Sequence, residues 1–272
     1  MKKDIEYKKS ARLLNPGSGF LQGYSHTLNP YGGCTFACTY CYVRRMPVGL
    51  FRGKEWGNWV DVKTGAREQL LKELRSARRK GPVTIFMSSS TDPYQPVEYK
   101  EQVTRSLLEA MIEEPPDFLF VQTRSPLVTR DKDLFLLLQD RIRVSVTVET
   151  DLEEVRKAFA PYAPPIPARL KALQELTEAG IPTQAAVAPV LPSGDDFAAR
   201  LSRVTNRVCV DDYFMGDGSG GKRTEQLGMR SLYKRLGLEE WYRPDAYQRV
   251  IEGMSREFPP DRLLISREGF SP

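Results

Sequence analysis

Three cysteines fall within eight residues, Cys34, Cys38 and Cys41, at the spacing C-x3-C-x2-C. A disulfide consumes two thiols, so a third in so short a loop asks for a partner that all three can share. Gly32 and Gly33 stand directly before Cys34 and let the backbone take positive φ or approach a ligand closely. Zinc needs a fourth protein ligand to close its tetrahedron. Neither a second C-x2-C nor a histidine pair follows; only Cys209 and the single histidine, His26, remain. An iron–sulfur cubane held by three thiolates instead keeps one iron free of protein ligands. The loop is therefore either a zinc knuckle completed by Cys209 or His26, or the seat of a [4Fe-4S] cluster whose open iron accepts an outside chelator.

The 272 residues suffice for one barrel-sized domain. Met1 to Arg12 is polar and lysine-rich, without the apolar stretch of a secretion signal, and no apolar run is long enough for a membrane span. With reduced, clustered thiols this predicts a cytoplasmic protein. A net charge of +5 leans mildly toward anionic partners and does not establish nucleic-acid binding.

Past the cysteines the pattern alternates. Apolar strand-length runs at Tyr24–Leu28, Val83–Met87, Phe118–Val121, Val144–Val148, Ile181–Val190 and Arg207–Tyr213 are separated by segments of helical spacing, such as Ala66, Leu70, Leu71, Leu74 and Ala77. Such alternation predicts parallel β/α units, and six of them predict an incomplete barrel, a partial (β/α)6 TIM-type fold. The expected division is a lead-in over 1–22, a core barrel over 23–215, and a C-terminal helical extension over 216–272 packed on the barrel. Between Tyr42 and Trp59 basic and aromatic residues interleave (Arg44, Arg45, Phe51, Arg52, Lys54, Trp56, Trp59). That mixture suits stacking on nucleic-acid bases or a loop packing its own aromatics over the cysteines.

In a barrel of this kind the active site lies at the C-terminal ends of the strands. Polar residues follow successive strands there: Ser88-Ser89-Ser90-Thr91-Asp92, Gln122-Thr123-Arg124, and Thr147 with Glu149. Hydroxyls with a carboxylate suit an amino group and ribose hydroxyls, and an arginine fork suits a carboxylate. Each segment alone also reads as an ordinary capped loop, Asp92-Pro93 being a common turn opening.

The C-x3-C-x2-C loop with Tyr40 before the third cysteine resembles the radical S-adenosylmethionine (SAM) enzymes. Leu28–Cys34, Thr91–Pro96, Thr123–Leu127 with Arg130-Asp131, and Ala179–Pro182 sharpen the likeness, over about residues 10–215, to the group related to spore photoproduct lyase. The resemblance implies a [4Fe-4S] cluster on Cys34, Cys38 and Cys41, with SAM chelating the open iron. Reductive cleavage to a 5′-deoxyadenosyl radical would then abstract hydrogen from a substrate, the electron coming from a flavodoxin or ferredoxin. It further implies that Arg124 meets the SAM carboxylate and that Ser90, Thr91 and Asp92 lie near the amino group and ribose. Thr147 and Glu149 would line the ribose, Tyr40 would lie beside the cofactor, and Tyr40 and Tyr42 would relay hydrogen. Nucleic acid is a candidate substrate on the same ground. One departure stands against dimer repair: the group's hydrogen-donating cysteine falls where this chain has the serines of Ser88–Thr91. Cys209 is the one thiol left to replace it. The alternatives are a zinc protein that binds nucleic acid and a non-catalytic iron–sulfur electron carrier.

Overall fold

Each parallel strand alternates one uniformly apolar face with one mixed face, and the two faces serve different layers. The computed structural model describes residues 3–272; Met1 and Lys2, the start of the expected lead-in, lie outside the described residues. Its strands are β1 (Asp4–Lys9), β2 (Leu14–Pro16), β3 (His26–Leu28), β4 (Tyr31–Gly32), β5 (Trp59–Thr64), β6 (Thr84–Met87), β7 (Phe118–Thr123), β8 (Ile142–Thr147), β9 (Thr183–Val187), β10 (Val208–Val210) and β11 (Leu263–Ile265). The main sheet runs β11-β10-β9-β8-β7-β6-β3-β2, parallel throughout except for the antiparallel β2–β3 pair. The six expected strands are its six central members in the expected order. Its two edge strands do not pair, so the barrel stays open.

Outward-facing Ile85, Met87, Leu119, Val121, Val144, Val146, Val187 and Val210 pack with helix residues such as Leu70, Leu107, Leu173 and Leu201 in one buried core. Inward-facing Phe86, Phe120, Ala186 and Cys209 form a second, smaller core inside the barrel. Phe86 and Phe120 are register partners and stack at 5.1 Å. Tyr24, Phe20 and Phe270 complete this inner plug. Two residues up each strand, the same inward face carries Ser88, Gln122, Thr147 and Asp211, so period-two geometry delivers polar atoms above an aromatic floor.

The sheet reaches past residues 23–215 at both ends: β2 comes from the lead-in, and β11 from the C-terminal segment, where the helix Ala246–Met254 packs on the outer core. A separate three-stranded sheet, β1-β5-β4, braces the cysteine loop from outside. It decides between the two expectations for this stretch in favour of a loop that packs its own aromatics beside the cysteines. Trp59 opens β5 and is 1% exposed, and Trp56 is buried edge-on against it at 5.7 Å. Arg52 covers the Trp59 ring at 4.7 Å while pairing with Glu6 and Asp61 at 2.8 Å each. A three-stranded sheet has little apolar surface of its own, and these rings are its core. Among the described residues no helix is long and apolar enough to cross a membrane.

Candidate active site

The cysteine loop is held by its neighbours' backbone and one buried amide. Gly33 sits at φ 76°, where a Cβ would lie 2.6 Å from the Trp59 carbonyl oxygen, so no other residue fits without displacing β5. Gln95, fully buried, accepts from the Thr35 N–H (3.0 Å) and hydroxyl (3.3 Å) and donates to the Gly33 carbonyl at 3.1 Å. Thr39 ties the far side down, its N–H and hydroxyl both donating to the Phe159 carbonyl. So fixed, Cys34, Cys38 and Cys41 all border one cavity of about 850 Å³ at the C-terminal ends of the strands, a size that suits a small-molecule site.

Neither expected fourth zinc ligand is there. Cys209 lies in the inner plug, its thiol directed at the Ser266 carbonyl (3.5 Å), and does not line the cavity. The same burial removes it as a replacement hydrogen donor. His26 stands beside Ser25, with Nδ1 and Oγ 2.8 Å apart, in a separate cleft near Glu73. Among the described residues no three His, Cys, Asp or Glu side chains cluster closely enough to hold a single metal ion. Burial, then Asp92 and the neighbouring thiols, pushes the Cys34 pKa well up, and burial with Cys38 pushes Cys41 up to about 11. Crowded thiols such as Cys34 and Cys41 that resist ionising fit a group that brings its own positive charge, as iron does.

Arg124 is the polar centre of the wall. Its Nη1 donates to Cys38 Sγ (3.0 Å), the Tyr40 hydroxyl (2.6 Å) and Glu149 Oε1 (3.2 Å). Burial works against its charge, but Cys38, Tyr40 and Glu149 outweigh it and hold the guanidinium firmly protonated. Glu149, 1% exposed, also accepts from the Tyr40 hydroxyl (2.8 Å) and from Arg169 Nη1 (2.6 Å). Burial would raise its pKa, yet Arg169 and Arg124 pull it below the usual value.

The other expected residues divide. Thr147 lines the cavity and accepts from Gln122 Nε2 at 2.7 Å. Ser90 and Thr91 also line it, but the Thr91 hydroxyl is engaged with the Gly33 carbonyl, and the Ser90 N–H donates to Asn29 Oδ1 at 2.9 Å. Both carboxylate oxygens of Asp92 are occupied: Oδ1 by the Thr123 hydroxyl (2.7 Å) and the Tyr94 N–H (2.9 Å), Oδ2 by the Arg124 N–H (2.9 Å). In this arrangement Asp92 fastens the β6 loop to the end of β7 and so aims Arg124. Tyr40 and Tyr42 both border the cavity, Tyr42 donating to the Ser89 carbonyl at 3.4 Å.

Sequence reasoning missed Gln95, Arg169, Asp211 and Asp212. Arg169 lies in a helix, Ile166–Glu178, where an arginine reads as a surface charge, and only the fold shows it fully buried against Glu149. Asp211 and Asp212 carried a usable signal, since they follow the sixth parallel strand just as Ser88 follows β6.

A family model described as the Radical SAM superfamily matches residues 28–199. An uncharacterized protein of Methanocaldococcus jannaschii is 35% identical over 184 residues, covering 68% of this chain and 66% of its own length. A protein of Pseudomonas phage M6 named a radical SAM Nalpha-GlyT isomerase is 28% identical over 77% of this chain, which spans only 43% of that protein. Among solved structures, spore photoproduct lyase complexed with dinucleoside spore photoproduct superposes with a TM-score of 0.70 at 14% identity, covering 96% of this chain and 81% of the lyase.

Proposed function

Because the chain belongs to the radical SAM superfamily, we propose that Cys34, Cys38 and Cys41 hold a [4Fe-4S] cluster and that SAM binds beside it in the same cavity. The observation that carries this reading is the convergence of three thiols from one braced loop on a single cavity, with neither Cys209 nor His26 beside them. When bound, cluster and SAM supply a 5′-deoxyadenosyl radical able to take hydrogen from an unactivated C–H bond, given an electron from a donor such as flavodoxin or ferredoxin.

The chain's own residues bind, orient and exclude water. Arg124 offers SAM a fixed cation for its carboxylate, and Glu149 with Arg169 keeps that guanidinium in place. Ser90 and Thr147 offer hydroxyls to the amino group and ribose, while Thr91 and Asp92 act one step back, on the loops that carry them. Tyr40 is held between Arg124 and Glu149, which places its ring against the cofactor position and leaves Tyr42 as the more loosely held phenol. The inner plug of Phe86, Phe120 and Phe270 closes the cavity from below and keeps bulk water out. We take residues 23–215 as the catalytic core, with the flanking segments closing its two edges.

Anaerobic reconstitution tests the reading. The protein should bind about four irons per chain, its reduced cluster should change EPR signal on adding SAM, and dithionite should drive release of 5′-deoxyadenosine. A preparation that takes up one zinc per chain, or an intact cluster that never cleaves SAM, would refute it.

A further inference from the structure

Among the described residues five polar atoms of residues bordering the cavity are buried without a hydrogen-bond partner: Trp56 Nε1, beside the cysteine loop, and Ser88 Oγ, Gln122 Oε1, Asp211 Oδ1 and Asp212 Oδ2. Gln122 Oε1 can only accept, and the two aspartate oxygens do so whenever their carboxyls are ionised. They are not gathered by chance of the surface, because alternation along β6, β7 and β10 turns Ser88, Gln122 and Asp211 inward at the same level.

The two aspartates are built in. Each is 6% exposed. The Asp211 backbone is locked on both sides, its N–H donating to the Val187 carbonyl (3.0 Å) and its carbonyl accepting from the Val190 N–H (2.8 Å). Its Oδ2 lies 2.0 Å from where a Cβ on Gly216 would stand, so only glycine there leaves the carboxylate room. Asp212 uses Oδ1 to accept the Phe214 and Met215 N–H groups at 2.8 Å each and leaves Oδ2 free. Asp217, in the same wall, is satisfied by neutral donors from Ser219, Gly221 and Thr224.

Among the described residues no side chain on this wall forms an ion pair with either aspartate. Arg223 donates Nη1 to the Asp217 carbonyl (2.8 Å), and Arg124 is committed to Cys38, Tyr40 and Glu149. Burial, opposed by the Ser266 hydroxyl and reinforced by the neighbouring Asp212, brings the Asp211 pKa up to about 7, and burial raises that of Asp212. The wall thus holds two buried carboxyls that an incoming cation would keep ionised, and spare acceptors, with aromatic rings of Phe86 and Phe270 beneath. A phosphate or carboxylate would be repelled there. A group with a single N–H would leave acceptors bare. A positively charged nitrogen bearing several N–H bonds answers both the charge and the orphaned oxygens.

We propose that Asp211 and Asp212 are specificity-determining residues that receive a basic nitrogen of the substrate, an ammonium, amidinium or guanidinium group, across the cavity from the SAM position. The inference rests on the radical SAM reading of the cavity. SAM's own amino group is not the intended occupant, since that reading gives it the Ser90 and Thr147 hydroxyls.

Ligand-observed NMR titrations of the anaerobically reconstituted, SAM-loaded protein test it, with phenethylamine as probe and its neutral and anionic counterparts, 2-phenylethanol and phenylacetate, as controls. The wild type should bind the amine at least tenfold more tightly than either control. Asp211→Asn and Asp212→Asn should each cut that preference about tenfold while leaving SAM affinity within twofold. Asp212→Asn keeps the oxygen that caps the following helix, so it remains informative if Asp211→Asn fails to fold. Equal binding of amine and alcohol, or a preference that survives both substitutions, overturns the proposal. So does a parallel loss of SAM affinity, which would assign the carboxylates to the cofactor. Iron content and SAM cleavage measured on the same wild-type samples separate these outcomes from a failure of the radical SAM reading itself.

Discussion

Arg169→Met removes the least expected charge in the site. The side chain is fully buried and donates to Glu149 Oε2 (2.6 Å), the Thr147 carbonyl (3.2 Å) and the Pro164 carbonyl (2.8 Å). Methionine fills similar space but leaves the Glu149 carboxylate without its larger stabilising charge and two carbonyls without that donor. Breaking one partner out of a buried ion pair costs about 3–5 kcal/mol. Glu149 retains Arg124 and the Tyr40 hydroxyl, which puts the expected loss near the lower end, about 3 kcal/mol. Urea unfolding of the cluster-free protein measures it, and pH gives a second readout. The folded-state pKa of Glu149 lies below its ordinary 4.5, so its contribution is fully present above that value and is lost as pH falls through the folded pKa. In the variant burial acts with less opposition, and Glu149 protonates at higher pH. The stability gap between wild type and variant should therefore be widest at neutral pH and shrink as pH falls through the range around 4.5. A loss under about 1 kcal/mol, or a gap that does not change with pH, would refute the view of Arg169 and Glu149 as one buried unit.

Cys34→Ala, Cys38→Ala and Cys41→Ala should each abolish the SAM-cleaving cluster, while Cys209→Ala should keep its absorption spectrum and lose only about 1 kcal/mol of stability from the inner plug; the spectra of the four variants decide. Arg124→Ala should weaken SAM binding by roughly 1.5–3 kcal/mol, with Arg124→Lys recovering part of it as a charge without the fork, and equal affinities by titration would place the SAM carboxylate elsewhere. Gln95→Leu strands the Thr35 N–H and removes a donor from the Gly33 carbonyl, so reconstituted protein should lose iron to a chelator several times faster than wild type. Trp56→Ala and Trp59→Ala should lower the melting temperature markedly, and a nucleic-acid affinity that fell with no loss of stability would contradict their burial.

The barrel was legible because its strands are short, apolar and separated by helical spacing, so that β6 to β8 could be read to within about two residues, while the expected Ile181–Val190 and Arg207–Tyr213 overran β9 and β10. The cysteine loop was legible from spacing alone. What sequence could not show was partnership at long range. β1 and β5 pair across some fifty residues, and neither Ile5 nor Val60 indicates the other. The tryptophans beside the arginines read equally as a stacking surface or as packing over the cysteines, because composition does not distinguish a ring that faces water from one buried beside Val43 and the thiols. Asp92 read as a ligand because its chemistry suits one, and only the positions of Thr123, Tyr94 and the Arg124 N–H show its oxygens already taken. Arg169 was invisible for the opposite reason: its partner Glu149 lies on the end of a different element, twenty residues away.

The inner plug joins parts of the chain that are made far apart in time. Phe20 and Tyr24 emerge first and Phe270 last, after the three cysteines and all six parallel strands. Phe270 meets Phe20 at 5.9 Å and Phe120 at 6.0 Å, and Arg267 reaches the Gly19 carbonyl at 2.8 Å. During synthesis, then, a chain already carrying every thiol has a chamber still open at its base. An oxygen-sensitive prosthetic group delivered at that stage would face solvent from beneath. The chamber gains its floor only once Phe270 has been made and has docked, so this late residue sets when the inner plug is complete.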